Sequence, residues 1–115
     1  MTLCGRLASM TTAEVLQKAR DLIADESRWT HGYYAKDESG HDVEPNEPSA
    51  CRWCALGAVY HVLDLSEQET LSDPEAVRAL DDAAGYYGST VDVNDYEGHD
   101  AVLALYDRAI AAEAA

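Results

Sequence analysis

The chain has 115 residues, a length typical of one domain, and 47% of them are hydrophobic, which is enough to build one core. Its 22 Asp and Glu residues outnumber its 8 Lys and Arg residues, so the formal net charge at pH 7 is −14. Affinity for phosphates depends on clustered Lys and Arg. The composition therefore argues against direct binding to nucleic acid or to an anionic membrane.

Residues 1–10 do not resemble an export signal, because they contain one Arg and only scattered apolar residues. No segment of the chain approaches the length of a membrane span. Three cysteines, an odd number, are not typical of a disulfide framework and suit a reducing compartment. We expect a cytoplasmic protein with a disordered N-terminal extension over residues 1–9 and a single acidic helical domain over residues 10–115. Met10 is a candidate second start site.

The first predicted helix begins at a capping box. The Thr11 hydroxyl and the Glu14 carboxylate have the spacing at which each accepts a hydrogen bond from the other residue's backbone amide. Apolar residues then recur at helical spacing to about Asp25. This helix is followed by a hairpin or ordered loop between Trp29 and Pro48, with a polar turn at residues 37–40.

A second helix is predicted from near Cys51 to about Leu65, in which Gly57 allows close approach of another backbone segment. A third has Ser72 or Asp73 as its cap, Pro74 at its first position and Gly85 at its end.

Residues 89–93, rich in β-branched side chains, are predicted to form a short strand, and residues 94–98 a polar loop. A final helix begins at about His99. We therefore predict a mainly α fold, or an α+β fold if the strands prove substantial. It is a compact bundle of three to four helices with a small hairpin or irregular segment. The predicted core contains Leu16, Ile23, Leu56, Val59, Leu80, Val102 and Tyr106.

Four strings of residues resemble a known family. They are Ala13-Glu14-Val15-Leu16, Trp29-Thr30-x-Gly32 leading to Ala35-x-Asp37-x-x-Gly40, Trp53-Cys54-Ala55-Leu56-Gly57-Ala58, and Asn94-Asp95 before the last helix. With these strings the chain resembles an uncharacterised family of small bacterial and phage proteins. The resemblance runs from Met10 to about Ala112. It implies one compact domain and assigns no activity to any residue, including the Asn94-Asp95 pair.

Cys51 and Cys54 form a Cys-x-x-Cys motif at a predicted helix start, where the amide groups and the helix dipole lower a thiol's pKa. A redox role is one interpretation of the motif; burial of Cys54 in the core is the favoured one. No second pair of ligands accompanies the motif, and the acidic run from Asp92 to Asp100 departs from the calcium-loop pattern. We therefore expect no metal site and no cofactor.

A cysteine-dependent enzyme is the alternative hypothesis for function. In it Cys54 is the nucleophile, His99 the base, and Asn94 or Asp95 the group that orients the base. The residues occur in a compatible order, but no loop with the features of an oxyanion hole accompanies them. We regard an enzyme as the less favoured of the two functions.

The leading hypothesis for function comes from the stretch from Asp64 to Asp100, which contains eleven acidic residues and one basic residue, Arg78. The predicted partner-binding residues are Asp64, Glu67, Glu69, Asp73, Glu75, Asp81, Asp82, Asp92, Asp95, Glu97 and Asp100. The net charge exceeds the magnitude of about 2 to 8 that suits solubility in a small domain, and single-sign fields steer association. We expect a non-enzymatic interaction protein that binds a basic protein surface. One form of this hypothesis is a nucleic-acid mimic that inhibits a nucleic-acid-binding complex, by analogy with anti-CRISPR proteins of similar size and charge. Charge reversal at Asp81, Asp82, Asp95 and Glu97 is expected to affect binding more than folding.

Overall fold

The computed structural model describes residues 10–66, 74–85 and 89–114. Its elements, in chain order, are α1 (Thr12–Leu22), a 3₁₀ turn (Glu26–Arg28), β1 (Ala35–Lys36), β2 (Arg52–Trp53), α2 (Ala55–Val62), α3 (Glu75–Ala84), α4 (Thr90–Tyr96) and α5 (His99–Ala114). The predicted extension at residues 1–9 and the predicted caps Ser72 and Asp73 lie outside the described residues.

Helix α1 begins at the predicted capping box. The Glu14 amide donates to Thr11 Oγ1 at 3.1 Å, and the Thr11 amide donates to Glu14 Oε1 at 2.8 Å. The bond from the Thr11 amide to the carboxylate is the main reason that the pKa of Glu14 is lowered. The helix ends at Leu22 and not at the predicted Asp25, because Asp25 caps the following 3₁₀ turn and accepts the Ser27 amide at 2.9 Å.

The segment after the 3₁₀ turn contains the predicted hairpin. The Asp37 carboxylate accepts two backbone amides across the turn, and beyond it Lys36 forms an antiparallel bridge and a 2.6 Å ion pair with Asp42. Strand β1 also pairs antiparallel with β2, and Ala35 lies opposite Trp53. The result is a small sheet beside the helices.

Strand β2 shows that the predicted helix start near Cys51 is wrong. The Cys51 amide donates to the Lys36 carbonyl at 2.9 Å, so residues 51–53 are extended. Helix α2 begins only at Ala55, with Cys54 as its N-cap. Pairing with β1 satisfies the backbone groups that a helix would otherwise satisfy.

Helix α2 also ends before the predicted Leu65, because a Schellman motif follows Val62. The Leu65 amide donates to the Tyr60 carbonyl at 2.8 Å, and the Asp64 amide donates to the His61 carbonyl at 3.1 Å. Asp64 adopts the left-handed conformation that this motif requires, with φ of 57°.

Helix α3 has nearly the predicted bounds. Pro74 lies at the N-cap, one residue before the first helical position predicted for it. Gly85 ends the helix as predicted, with φ of 50°. Glycine suits this position because a Cβ atom is strained at such angles.

Helix α4 replaces the predicted strand over residues 89–93 and most of the predicted loop over residues 94–98, and both predictions are wrong. The Ser89 hydroxyl caps α4 by accepting the Asp92 amide at 3.3 Å. Thr90, Val93 and Asn94 are buried, at the i, i+3 and i+4 spacing of one helix face. Burial at helical spacing outweighs the strand preference of the β-branched residues.

Helix α5 packs against α1, α3 and α4, and α2 packs against α1 and α4. All seven predicted core residues are buried. Tyr106, fully buried, donates its hydroxyl hydrogen to the Ala55 carbonyl at 2.6 Å. The predicted mainly α fold with a small hairpin is confirmed. Within the described ranges, no helix has the length and apolar character needed to cross a membrane.

Candidate functional site

Asn94 connects α4 to two distant parts of the chain. Its side chain is buried, and its Oδ1 accepts hydrogen bonds from Trp29 Nε1 at 2.7 Å and from the Ala55 amide at 2.9 Å. Its Nδ2 donates to the Thr30 carbonyl and to Asp95 Oδ1, both at 3.2 Å. A side-chain amide has two donors and one acceptor oxygen with two lone pairs, so the hydrogen-bonding capacity of Asn94 is fully used.

Asp95 extends this network to Gly32, whose amide donates to Asp95 Oδ1 at 3.3 Å. The Asn94-Asp95 pair therefore holds residues 29–32 against the start of α2. Three of the strings that carried the resemblance meet here: the one from Trp29 to Gly32, the one that begins at Trp53, and the Asn-Asp pair. The contacts give the pair a structural role.

Gly57 lies where α2 contacts the backbone of Tyr34, as the sequence predicted. A Cβ atom on Gly57 would overlap the Tyr34 carbonyl oxygen and lie 2.8 Å from its carbonyl carbon. The same oxygen accepts the Cys54 amide at 3.1 Å. Helix α2 therefore approaches residues 32–34 closely enough to form one wall of a cleft.

Cys54 is buried, as predicted, and its sulfur caps α2 by accepting the Gly57 amide at 3.2 Å. Burial is the main reason that the pKa of the thiol is raised to about 11, and the nearby Asp95 carboxylate adds to the increase. The thiolate is the nucleophilic form of cysteine. Cys54 is therefore protonated, and a weak nucleophile, near neutral pH.

His99 contacts residues other than Cys54, the nucleophile predicted for it. Its Nε2 lies 2.7 Å from the Ile23 carbonyl oxygen, which can only accept, so this nitrogen carries a hydrogen and donates it. The ring also packs 5.5 Å from the ring of Trp29. Among the described residues no hydrogen bond joins Cys54, His99 and Asn94. The cysteine-enzyme hypothesis stays a prediction, and these contacts do not provide its triad.

Cys51 lies just before β2 and is partly exposed, so the helix-start environment predicted for the Cys-x-x-Cys motif surrounds only Cys54. Both thiols are free. His61 points its Nδ1 at the Pro45 carbonyl, at 2.8 Å. Across the residues that the structure covers, no group of three or more His, Cys, Asp or Glu side chains is arranged to hold a metal ion.

The predicted acidic face is described in part. Glu67, Glu69 and Asp73 lie outside the described residues. The other predicted partner-binding residues are Asp64, Glu75, Asp81, Asp82, Asp92, Asp95, Glu97 and Asp100, and all of them except Asp81 are exposed. These carboxylates are therefore available to solvent or to a partner.

Asp81 and Asp95 also have structural roles. Asp81 Oδ1 accepts the Thr90 amide at 2.9 Å and the Thr90 hydroxyl at 2.7 Å, which ties α3 to the start of α4. Asp95 binds Gly32 and Asn94. Reversal of these two charges removes these hydrogen bonds and is therefore expected to disturb folding, contrary to the expectation from the sequence. That expectation is kept for Asp82 and Glu97, whose side chains form no hydrogen bond within the described part of the chain.

The outer side of α4 carries an unusual combination of residues. Among the described residues, the exposed large hydrophobic side chains are Val91, 45% exposed, and Tyr96, 84% exposed. Asp92 and Asp95 occupy the same side of this helix, and Glu97 follows at its end. We call these five residues the α4 face. It combines an exposed aromatic ring with three carboxylates.

A cleft of about 250 Å³ adjoins the α4 face. It is lined by Gly32, Tyr33, Tyr34, Cys54, Leu56, Thr90, Val91, Asn94 and Asp95. Asp95 is the one charged residue in this lining, and the Tyr33 and Tyr34 rings meet edge-on at 5.7 Å. Val91 and Asp95 belong both to the cleft and to the α4 face, so the two form a continuous surface.

Sequence reasoning did not identify Val91, Tyr96 or the cleft. The missed signal was Ser89-x-x-Asp92, an N-cap pattern at the start of a segment interpreted as a strand. A helix over residues 90–96 would have placed Val91 and Tyr96 on the side opposite the buried residues. Apolar residues on that side, among acids, are the feature that a sequence can show.

No match was found among curated proteins or among solved structures. A family model described as a family of unknown function (DUF6197) matches residues 8–112. This span includes the Asn94 network, the cleft and the whole α4 face. The chain therefore belongs to DUF6197, a family of unknown function.

Proposed function

We propose that this protein is a non-enzymatic interaction protein that binds a basic protein surface through the α4 face. The observation that carries the proposal is the position of Tyr96. Its side chain is 84% exposed and shares the outer side of α4 with Asp92 and Asp95, in a chain of net charge −14.

The aromatic ring is suited to supply binding energy. Tyrosine is enriched among the few interface residues that contribute most to affinity, and a ring of polar contacts commonly surrounds such residues. Full burial of a large apolar side chain contributes about 1.5–3 kcal/mol. Val91, the other exposed large hydrophobic side chain of the α4 face, adds apolar area to this surface.

The carboxylates are suited to select the partner. A field of one sign accelerates association with an oppositely charged surface and disfavours partners of like charge. Basic surfaces are characteristic of proteins that bind nucleic acid. We therefore propose a nucleic-acid-binding protein or complex as the partner, with the acids of this chain taking the places of phosphates and inhibiting it.

The proposal is tested by site-specific photocrosslinking in the native host. A benzophenone amino acid replaces Tyr96 in one variant and Ala104, on the exposed side of α5, in the matched control. We expect a covalent adduct with a basic protein from position 96 and none from position 104. Adducts formed equally at both positions, or only with acidic or neutral proteins, would contradict the proposal.

A further inference from the structure

We infer that the cleft beside α4 receives an arginine side chain of the basic partner, with the guanidinium group paired to Asp95. This inference rests on the proposed function and makes it more specific. It assigns the α4 face two contacts, Tyr96 on its outer side and a pocket for one cationic side chain at its edge.

The Asp95 carboxylate is held in place at the cleft. Its Oδ1 accepts hydrogen bonds from the Gly32 amide at 3.3 Å and from Asn94 Nδ2 at 3.2 Å. Its second oxygen, Oδ2, accepts none from the residues that the structure describes. A carboxylate fixed through one oxygen loses little further freedom when it pairs with a cation through the other.

The other walls suit the hydrocarbon stem and the flat head of arginine. Leu56 and Val91 supply apolar surface, along which a long cationic side chain can bury its methylene groups. Tyr33 and Tyr34 also line the cleft, and guanidinium groups stack on aromatic rings of this kind. The planar head of arginine uses both features better than the compact ammonium group of lysine.

The size and charge of the cleft favour one cationic side chain over a drug-sized or anionic ligand. Its volume of about 250 Å³ is smaller than the roughly 300–1,000 Å³ of typical sites for drug-sized molecules, and fits one side chain. No lysine or arginine lines it, so an anion would find no charged partner. The nearby start of α2 is not an open anion site either, because Asn94 accepts the Ala55 amide and Cys54 accepts the Gly57 amide.

The test uses N-acetyl-arginine methylamide as a probe, titrated into the ¹⁵N-labelled full chain. The signals followed are the Gly32 backbone amide, the Asn94 side-chain amide and the Trp29 indole. We expect saturable shifts of all three. N-acetyl-citrulline methylamide, which has nearly the same shape without the charge, should bind about tenfold more weakly or worse.

Two variants locate the binding. Asp95→Asn removes the charge and keeps an oxygen that can accept the Gly32 amide, and we expect it to weaken arginine binding about tenfold or more. Val91→Trp, at a partly exposed position, should block the cleft in a protein that still folds. Equal binding of the arginine and citrulline probes, unchanged binding by both variants, or no saturable shift at Gly32 would overturn the inference.

The same reagents separate this inference from the proposed function. If the partner crosslinks at position 96 and binds Asp95→Asn as well as it binds the wild type, the arginine pocket is refuted and the α4 interface remains. If the arginine probe binds and position 96 yields no basic partner, the pocket remains and the proposed interface is refuted.

Discussion

Asn94 is the side chain on which the arrangement of the site depends most. Its amide joins Trp29, Thr30, Ala55 and Asp95 through four hydrogen bonds, of which the one from the Ala55 amide is buried and the other three are partly buried. Removal of one partner from a buried hydrogen bond costs more than the bond itself contributes, because the remaining group stays desolvated.

We expect Asn94→Ala to lower the free energy of unfolding by about 3–5 kcal/mol, since it leaves the buried Ala55 amide and the partly buried Trp29 indole and Thr30 carbonyl without partners. Urea denaturation measures the change. Asn46→Ala, at a partly buried loop position, is the control and should stay within about 1 kcal/mol of the wild type. A loss at Asn94 no larger than that of the control would show that the network contributes little.

Because the pKa of Cys54 is raised, we expect the free energy of unfolding to fall at alkaline pH. The pKa of about 11 in the folded protein exceeds that of an exposed thiol, so the folded state keeps a proton that the unfolded chain releases. The stabilisation is complete below about pH 8.5 and is lost as the pH rises through 11, by about 3 kcal/mol in total. The serine of Cys54→Ser does not ionise in this range, so the free energy of unfolding of this variant should fall less than that of the wild type as the pH rises. Parallel stability curves for the two proteins would refute this explanation.

The sequence predicted residues whose role depends on local spacing or on apolar neighbours. Thr11 and Glu14 form a capping box because they lie three residues apart, and Cys54 is buried because an apolar string follows it. The role of Asn94 could not be predicted, because three of its four partners, Trp29, Thr30 and Ala55, lie 39 to 65 residues away along the chain. Such pairings depend on the tertiary arrangement of the helices.

The absence of a side chain at Gly57 allows α2 to approach residues 32–34 closely. Helix propensity alone predicts that Gly57→Ala stabilises the protein by about 1 kcal/mol. We expect the opposite sign and a loss of several kcal/mol, because the new methyl group would overlap the Tyr34 carbonyl, which is backbone and cannot rotate away. Thermal and urea denaturation report the sign. A stabilised variant would contradict the close contact.

Neighbouring aspartates on α3 provide a second test at this scale. Asp81 accepts two hydrogen bonds from Thr90, at the buried start of α4, whereas Asp82 is exposed. We expect Asp81→Ala to lower the free energy of unfolding by about 1.5–3 kcal/mol and Asp82→Ala to change it by less than about 0.5 kcal/mol. Similar effects of the two substitutions would show that α4 does not depend on this connection.

Helix α4 shows why the sequence predicts some helices more accurately than others. The start of α1 has a capping box, and α5 has long apolar periodicity. These signals predict both elements nearly correctly. Residues 90–96 span only two turns and contain three β-branched residues, so local preference favours a strand. Packing against α5, α2 and α3 selects the helix, and a seven-residue window does not contain that information. The α4 face was missed for the same reason.

For the whole molecule, the net charge of −14 has both a cost and a use. Repulsion among like charges opposes folding, and the same field attracts a basic partner. Charge alone could be predicted from the composition, whereas the location of an interface could not. In the structure, Asp92 and Glu97 flank Tyr96 on the α4 face, and their side chains form no hydrogen bonds with other described residues. Their charges can therefore be changed without the loss of a side-chain hydrogen bond, although Asp92, in the first turn of α4, also interacts favourably with the helix dipole.

The dissociation constant for the partner crosslinked at position 96 tests the α4 interface most directly. Asp92→Lys/Glu97→Lys is compared with Glu47→Lys/Glu113→Lys, a pair of exposed acids off the α4 face that alters the net charge equally. At low salt we predict binding about tenfold or more weaker for the first pair and near wild type for the second. The difference should shrink at high salt, because exposed charges are screened beyond about 8 Å at physiological ionic strength. Equal affinities for the two pairs, or binding indifferent to salt, would contradict the account.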